Sequence, residues 1–496
     1  MRIRQTIKRG AARATAVALV ALAALAAGLV IPSLAQQVSA VFSGPPYLVG
    51  PTITPTTTVP EAGEYIAVDP NNYKNLLAVV NDFAIPRAGY PSMFTPKYAF
   101  SSDNGATWVD SYVPLDNNGW PITADGQIWL SYENPVAAVD LQGNAYVVAM
   151  GSNGGIWANA PPVWPFNNAN GLYVSVTTLK SLRKLGTGAS GGFTAAQVYP
   201  VATDLDPNTL FLNQWPWIAV DNSSNSTTSG NVYVSWTRTP WPSYENDILL
   251  SRSTDHGKTW SAPIRVSAKN QGGGVYGSQV AVGPKGEVYV VYFFHGFNGN
   301  AKLYLTKSTD GGVTFSRPVA IISSFNTLTF DSTYLHWALP ALAASPASGN
   351  VYVLYSDQPN KSVGAEVEFI RSTDGGATFS APVVINDVAA GHQFMAAITV
   401  DSAGVIHASW FDTRNSPTDS SVYDIYATFS ADDGATFSPN ARVTASSMNA
   451  DGLPFIGFYM GMAAGGGFAH PAWCNGGAYP GIPGFGGLQT ATLTLP

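Results

Sequence analysis

One eight-residue pattern occurs five times in this chain and limits its possible folds more than any other feature. The pattern is Ser-x-Asp-x-Gly-x-Thr followed by Trp or Phe. It has the chemistry of a tight turn between two strands, because Asp accepts bonds from backbone amides, Gly allows a positive φ and the aromatic ring packs inward. The copies occupy residues 101–108, 253–260, 308–315, 372–379 and 430–437. The chain is therefore predicted to be a repeat protein.

These octapeptides resemble Asp boxes, the motif of sialidases and of a wider set of secreted β-propellers. In the families that carry it, the box lies on the outer turn of a blade, away from the catalytic face. The resemblance implies a propeller scaffold and gives little information about activity. It also implies a structural role for the five aspartates of the boxes, Asp103, Asp255, Asp310, Asp374 and Asp432.

A longer repeat becomes visible when the segments before the boxes are aligned. Each unit begins with two short apolar strands joined by a turn, such as residues 217–221 and 232–236. A third strand leads into the box and a fourth leaves it. Seven units can be counted, and the second and seventh lack a box. We therefore predict an all-β, seven-bladed propeller of four-stranded antiparallel blades. The alternative is the six-bladed propeller of the sialidases that the motif resembles.

The first 40 residues have the pattern of an export signal. Five basic residues precede an apolar run over residues 14–30, and small residues up to Ala40 suit a cleavage site. The alternative is an uncleaved anchor, because the apolar stretch approaches the length of a membrane span. Residues 41–60 are rich in Pro and Thr, which is typical of a linker or of a strand that closes the ring. The propeller is expected over residues 61–496, in a secreted, periplasmic or cell-surface protein without a membrane span after cleavage.

The charge balance excludes one class of partner. Without the five basic residues of the signal, 19 basic residues remain against 31 acidic ones, a net charge of −12. A chain of this charge lacks the basic surface that binds nucleic acid. Its one cysteine, Cys474, excludes an intramolecular disulfide.

The strand order of such a blade sorts the loops into two faces. If the boxes join third and fourth strands, the loops between second and third strands lie on the opposite face, together with the connections between blades. These loops are rich in polar and aromatic residues. Such a surface suits sugars, whose hydroxyl groups need polar partners and whose faces stack on aromatic rings. We expect a glycan or glycoconjugate to bind there, with a protein as a possible further partner.

The resemblance implies which residues a sialidase-type reaction would use. Sialidases bind the substrate carboxylate with three arginines, and use an Asp as acid and a Tyr that a Glu activates as nucleophile. The matching arginines are Arg87, Arg238 and Arg414, and the matching acid is Asp82. Tyr459 or Tyr423 would be the nucleophile, with Glu64 or Glu133 as activator. The Arg-Ile-Pro signature of sialidases is absent ahead of blade 1. Further candidate substrate contacts are Asp412, Trp157, Trp241 and His336.

Several alternatives remain open at the level of the sequence. If the protein is an enzyme, it is expected to be a glycoside hydrolase of the exo-sialidase type. It could instead be a non-catalytic carbohydrate- or protein-binding propeller that uses Trp157, Trp164 and Trp241, or a polysaccharide lyase with a Tyr or His base. Arg414 could pair with Asp412 rather than bind substrate. Arg252 and Arg371, which precede boxes, are expected to form ion pairs between blades or to be solvated.

No cofactor is expected for any of these functions. The loop that contains Asp412, Asp419 and Asp424 could offer oxygen atoms to Ca²⁺, although its spacing matches no EF-hand.

Overall fold

The computed structural model divides the chain into two units, of which the second spans Ser39–Pro496 and contains all the strands described below. The described residues are 38–496, apart from 57–60, 83–94, 116–120, 130, 154–168, 186–190, 207–208, 241–242, 244, 270, 272–273, 296–299, 331, 333–338, 360–363, 452–455 and 477–486. Almost all of the predicted export signal, residues 1–37, lies outside them. Within the described part of the chain, no helix has the length and apolar character needed to cross a membrane.

Seven sheets of antiparallel strands form the blades of a propeller. The first strands of successive blades contact each other in ring order, and the first strand of blade 7 contacts that of blade 1. The ring is therefore closed. The prediction of seven four-stranded blades is confirmed, and the six-bladed alternative is not supported.

The first four blades follow the chain in order. Blade 1 consists of Glu61–Val68, Leu76–Asp82, Thr95–Ser101 and Val109–Tyr112. Blade 2 consists of Ser131–Val139, Asn144–Ser152, Asn170–Thr178 and Val198–Asp204, with the short helices Leu179–Leu182 and Ala195–Gln197 before its last strand. Blade 3 consists of Phe211–Val220, Val232–Pro240, Asp247–Ser253 and Ile264–Arg265. Blade 4 consists of Val275–Val282, Val288–His295, Asn300–Ser308 and Val319–Asn326.

The last three blades complete the ring. Blade 5 consists of Ala341–Ala344, Val351–Asp357, Glu366–Ser372 and Val383–Val384. Blade 6 consists of Gln393–Val400, Ile406–Asp412, Val422–Ser430 and Ala441–Arg442, and Met448–Asn449 also pairs with its third strand. Blade 7 consists of Gly461–Gly465, Phe468–Cys474, Leu488–Thr494 and the N-terminal strand Leu48–Ile53.

The N-terminal segment crosses the outer edges of three blades. Leu48–Ile53 pairs antiparallel with Leu488–Thr494 and supplies the fourth strand of blade 7. Upstream of it, Val41–Phe42 pairs in parallel with Thr436–Phe437 of blade 6. Ser39 forms an isolated bridge to blade 5. The two ends of the described chain thus meet in one sheet. The N-terminal strand pairs with the outer edge of Leu488–Thr494, so this third strand of the last blade is not left as an edge strand.

Each Asp box closes its own turn with hydrogen bonds. In the box of blade 4, the Ser308 hydroxyl donates to Asp310 Oδ1 over 2.7 Å, and the Gly312 amide donates to Ser308 Oγ over 2.9 Å. Thr314 donates to Asp310 through both its amide and its hydroxyl, and these bonds hold the pKa of Asp310 below its usual range. The same pattern recurs in the other four boxes. The aspartates are therefore committed to the turn.

The boxes also join neighbouring blades. Arg252, Lys307 and Arg371 directly precede the boxes of blades 3, 4 and 5. Each of these side chains donates to the carbonyl of the fourth residue of the next box, over distances of 3.1, 3.0 and 2.7 Å. Arg252 and Arg371 thus connect blades through backbone carbonyl oxygens rather than through acidic partners.

The two blades without a box fill the same place with other side chains. In blade 2, the helix Leu179–Leu182 and Phe193 pack in one cluster with Phe100 of blade 1. At blade 7, the ring of Tyr47 lies 4.9 Å from that of Phe429, and its hydroxyl lies 2.5 Å from His407 Nδ1. Blades 1 and 6, whose next neighbours have no box, accordingly have an aromatic residue directly before their own box, Phe100 and Phe429.

Candidate functional site at the mouth of the central channel

The first strands of the blades surround a channel with largely apolar walls. Its cavity has a volume of about 270 Å³ and is lined mainly by Ala, Val, Ile and Met side chains. The polar side chains along it are Tyr65, Asn222, Gln279 and Thr399. These walls supply no carboxyl group and no cation, so acid–base chemistry in the described part of the channel depends on residues at its mouth.

A bulge interrupts the first strand at this mouth in five blades. In each of them, two consecutive residues of the first strand have no partner in the second strand. The first of the two has a positive φ, and these residues are Gly63 (78°), Asn134 (57°), Trp215 (52°), Gly277 (63°) and Met395 (50°). Because this conformation is unfavourable for Trp and Met, its presence indicates that the mouth is shaped at some cost in stability. Bulges often occur beside binding sites.

Tyr459 lies at the mouth beside two carboxyl groups. Its side chain is buried, and its hydroxyl donates to the Pro135 carbonyl in the bulge of blade 2 over 3.3 Å. Burial raises the pKa of Tyr459, and the charges of Glu64, Tyr65 and Glu133 raise it further. The structure therefore brings together three of the four predicted catalytic residues, Tyr459, Glu64 and Glu133.

Glu64 is fully buried in the bulge of blade 1. Neither of its carboxyl oxygens forms a well-aligned hydrogen bond with a described residue. Oε2 lies close to Gly457: a side chain at that position would bring its Cβ atom to within 3.2 Å of this oxygen. Burial raises the pKa of Glu64 well above its ordinary value and outweighs the lowering effects of nearby backbone amides and the Cys474 thiol. Glu64 therefore favours its protonated form more strongly than an exposed glutamate does.

Glu133 is buried as well, and its pKa is also raised. Its side chain comes from the strand residue directly before the bulge of blade 2. Burial raises the pKa of Glu133 to about 7, against a small lowering by the Ser131 hydroxyl, which lies 3.5 Å from Oε1. The mouth therefore contains two buried carboxyl groups with raised pKa values, and Glu133 can exchange a proton near neutral pH.

Two groups of aromatic rings flank these carboxyl groups. Trp217 makes edge contacts with Tyr65 and Tyr459, with ring centroids 5.1 and 5.4 Å apart. Trp215 packs against Tyr276 and Phe458, with centroids 5.7 and 5.8 Å apart, and these three side chains are partly exposed. We call Trp215, Tyr276 and Phe458 the aromatic platform. The sequence analysis missed it, although its members lie at or just before first strands, where Glu64 and Tyr459 also lie.

Asp82 lies next to a further buried acid at the end of the second strand of blade 1. It is fully buried and accepts a hydrogen bond from the Tyr112 hydroxyl over 2.7 Å. Glu61 lies opposite Asp82 in the register, and its Oε2 accepts a bond from the Leu488 amide over 2.9 Å. Burial raises the pKa of Glu61 to about 8, with a smaller contribution from Asp82. The sequence analysis did not select Glu61.

Two of the predicted substrate-binding arginines form ion pairs with aspartates, and these two arginines belong to different blades. Arg238 Nη2 lies 3.3 Å from Asp204 Oδ1. Arg414 bonds to Asp412 over 2.8 Å and to Asp387 over 2.6 Å, and its side chain is only 7% exposed. The alternative pairing of Arg414 with Asp412 is thus present. The structure does not bring Arg238 and Arg414 to a common partner. Four other predicted contact residues, Arg87, Trp157, Trp241 and His336, lie outside the described residues, as does Trp164.

The alternative nucleophile Tyr423 is hydrogen-bonded to the backbone of blade 7. It is fully buried, and its hydroxyl donates to the Cys474 carbonyl over 3.0 Å. The predicted Ca²⁺ loop is also committed to internal bonds: Asp419 bonds to Ser421 and Asp424 to Arg442. Where the chain is described, no group of three or more acidic, His or Cys side chains is arranged to hold a metal ion.

Comparison with known proteins gives one match in sequence and several in fold. The family model of the BNR/Asp-box repeat matches residues 251–262. No curated protein sequence matches the chain significantly. A Dyadobacter fermentans protein of unknown function aligns with 93% of this chain and 98% of its own, at 13% identity and a TM-score of 0.47.

Two enzymes show similar coverage. The intramolecular trans-sialidase of Ruminococcus gnavus aligns over 89% of this chain and 95% of its own, at 14% identity and a TM-score of 0.43. The α-L-arabinofuranosidase of Fusarium graminearum aligns over 92% and 98%, at 13% identity and a TM-score of 0.42. At such scores the alignments give no information about activity. The family model confirms the Asp-box repeat that the octapeptides indicate, and the structure shows that the chain forms a seven-bladed β-propeller.

Proposed function

We propose that the protein is exported and binds a glycan at the mouth of its channel, where Tyr459, Glu64 and Glu133 cleave a glycosidic bond. One observation carries the proposal. Tyr459 lies within electrostatic range of two buried carboxyl groups whose pKa values are both raised, that of Glu133 to about 7. Buried acids whose pKa values are raised by their surroundings are typical of acid–base catalysis.

The roles follow from the raised pKa values. Glu64 favours its protonated form and can give its proton to the glycosidic oxygen as the bond to the anomeric carbon breaks. The Tyr459 hydroxyl donates to the Pro135 carbonyl in the structure, so it turns from there to Glu133, which accepts its proton once ionised while the Tyr459 oxygen attacks the anomeric carbon. Because the pKa of Tyr459 is raised, free phenolate is disfavoured, and proton removal has to accompany the attack. In the second step water attacks the anomeric carbon and the bond to the Tyr459 oxygen breaks. Glu64 takes the proton from that water, and Glu133 returns its proton to the Tyr459 oxygen.

Substrate binding would use the aromatic platform. A sugar ring stacks on aromatic faces through its C–H bonds, and the platform offers three partly exposed rings at the same mouth. Trp215 keeps its place through a φ of 52°, which is unfavourable for Trp. Such strain is retained where the position of a side chain matters to function.

Non-catalytic carbohydrate binding is the second candidate, and the platform itself favours it. The rings of the platform could hold a glycan without any chemistry at Tyr459. A polysaccharide lyase is less well supported, since its base needs an arginine to neutralise the substrate, and Arg238 and Arg414 already have acidic partners.

The test compares Tyr459→Phe with a matched control. Tyr292→Phe also removes a buried hydroxyl, one that bonds to Gln271 over 2.8 Å in blade 4. The mature wild type, incubated with mixed oligosaccharides, should generate new reducing ends detected by mass spectrometry. Tyr459→Phe should lower kcat about 10²-fold or more, the range for loss of an acid–base or nucleophilic group. Tyr292→Phe should not lower it.

Two outcomes separate the alternatives. If wild type binds glycans but releases no product, and Trp215→Gly loses that binding, the non-catalytic function is supported instead. If a product absorbing in the ultraviolet appears, the reaction is elimination and the protein is a lyase.

A further inference from the structure

We infer that the glycan taken by this mouth is uncharged, a neutral sugar rather than one that carries a carboxylate. This inference rests on the proposed function and narrows its substrate class. It also departs from the exo-sialidase activity that the resemblance implied, because a sialic acid presents a carboxylate to its enzyme. Three features carry it: the positions of the arginines, the unsatisfied carboxyl groups and the aromatic platform.

Almost every arginine after the export signal has a partner or a position in the structure that can be named. Nine follow residue 37, and all except Arg87 lie in described parts of the chain. Four of them pair with aspartates: Arg238, Arg265, Arg414 and Arg442. Arg252 and Arg371 donate to box carbonyls on the opposite face. Arg183 ends the short helix of blade 2, and Arg317 follows the box of blade 4.

A carboxylate clamp of three arginines therefore cannot be assembled at the mouth without breaking existing ion pairs. Bidentate contacts between arginine and carboxylate are the strong form of this recognition. At most one arginine, Arg87, is available to contribute to it. Taking Arg414 from Asp412 and Asp387 would leave two aspartates without their cation, one of them fully buried.

The mouth instead contains carboxyl groups that can take further hydrogen-bond partners. Both carboxyl oxygens of Glu64 and Oε1 of Glu61 are buried and form no well-aligned hydrogen bond with a described residue. A sugar hydroxyl both donates and accepts, so it can pair with a carboxyl group in either protonation state. A carboxylate on the ligand can only accept, and beside an ionised Glu133 it would also be repelled. The mouth is therefore complementary to hydroxyl groups.

The aromatic platform has the same preference. Trp215, Tyr276 and Phe458 present rings and no charge, and they bind the C–H face of a sugar ring irrespective of its hydroxyl pattern. After loss of the signal the chain also carries a net charge of −12, which disfavours the approach of an anion.

The test uses matched pairs of immobilised oligosaccharides that differ only in a terminal sialic or uronic acid. The mature protein is applied as Tyr459→Phe, which prevents turnover, at pH 7.5. We expect the neutral oligosaccharide to bind. Its acid-capped partner should bind at least about tenfold more weakly, because its carboxylate has the same charge as the ionised Glu133. Trp215→Gly should abolish binding of the neutral ligand, while Gly accepts the positive φ of that position. Phe458→Ala provides a second change in the platform.

The outcomes distinguish this inference from the function on which it rests. Tighter binding of an acid-capped ligand, lost in Trp215→Gly, would overturn the inference and leave glycan binding at the mouth intact. If no ligand of either kind shows binding that depends on Trp215 or Phe458, the proposed function itself fails and the inference fails with it.

Discussion

The acidic side chains on the two faces of the ring differ in their hydrogen bonding. On the box face, each aspartate accepts bonds from its own turn, and the cations before the boxes donate to the next blade. At the channel mouth, by contrast, Glu64 is buried without a well-aligned partner, and burial raises the pKa of both Glu64 and Glu133. The box aspartates are thus satisfied within their own turns, whereas the Glu64 carboxyl group at the mouth is not.

This difference separates stability from function within one repeated unit. Satisfied polar groups stabilise a fold, whereas buried acids and non-glycine residues at positive φ cost free energy. Such destabilising residues are retained where a functional site requires them, so activity is commonly gained at the expense of stability. We therefore expect substitutions on the box face to destabilise the protein, and removal of charge at the mouth to stabilise it.

The largest effect should come from Tyr47, which takes the place of the missing seventh box. Its buried ring packs on Phe429, and its hydroxyl bonds to His407. Tyr47→Ala should lower the free energy of unfolding by about 3 kcal/mol, the usual cost of deleting a buried aromatic ring. Urea denaturation measures it. Tyr47→Phe is the control and should cost only about 1 kcal/mol, for the lost hydrogen bond. An alanine variant as stable as the wild type would show that the N-terminal segment does not lock the ring.

Glu133→Gln should have an effect of similar size and opposite sign, which depends on pH. The folded carboxyl keeps its proton up to a pKa of about 7, whereas the unfolded one loses it near 4.5. Between these values unfolding releases a proton, so wild-type stability falls as pH rises. A glutamine has no such dependence. The variant should match the wild type at pH 4 and exceed it by about 3 kcal/mol at pH 8.

Denaturation curves at several pH values test this prediction. Glu245→Gln changes an exposed carboxyl group and serves as the control, with an expected difference below about 0.5 kcal/mol at either pH. Parallel stability curves for wild type and Glu133→Gln would mean that Glu133 is solvated in the folded protein, and the contrast between the two faces would lose its electrostatic basis.

The box face could be predicted from the sequence because its interactions are local. Ser, Asp, Gly and Thr of a box bond within eight residues, so the pattern and the blade count follow directly from the spacing of the repeats. The replacements in the unboxed blades could not be predicted. Tyr47 and His407 are separated by 360 residues, and only the closed ring brings them together.

The mouth was predictable in position but not in chemistry. The repeat placed Glu64, Glu133 and Tyr459 at the entrances of first strands, and the structure brings them together there. Their raised pKa values depend on burial, which no local pattern reveals. Arg414 shows the same limit, since its contact with Asp412 spans two residues, whereas that with Asp387 depends on the packing of blades 5 and 6.

The smallest effect concerns the cations that connect boxed blades. Arg371 donates to the Asp433 carbonyl of blade 6 over 2.7 Å from a partly exposed position. Arg371→Met keeps most of the apolar stem and removes the donor, so it should cost about 1 kcal/mol, the usual contribution of one hydrogen bond. Arg317→Met removes an exposed charge from the same face and is the matched control. If both variants lose equal stability in urea denaturation, net charge rather than the contact between blades accounts for the effect, and the box of blade 6 is held by its own turn alone.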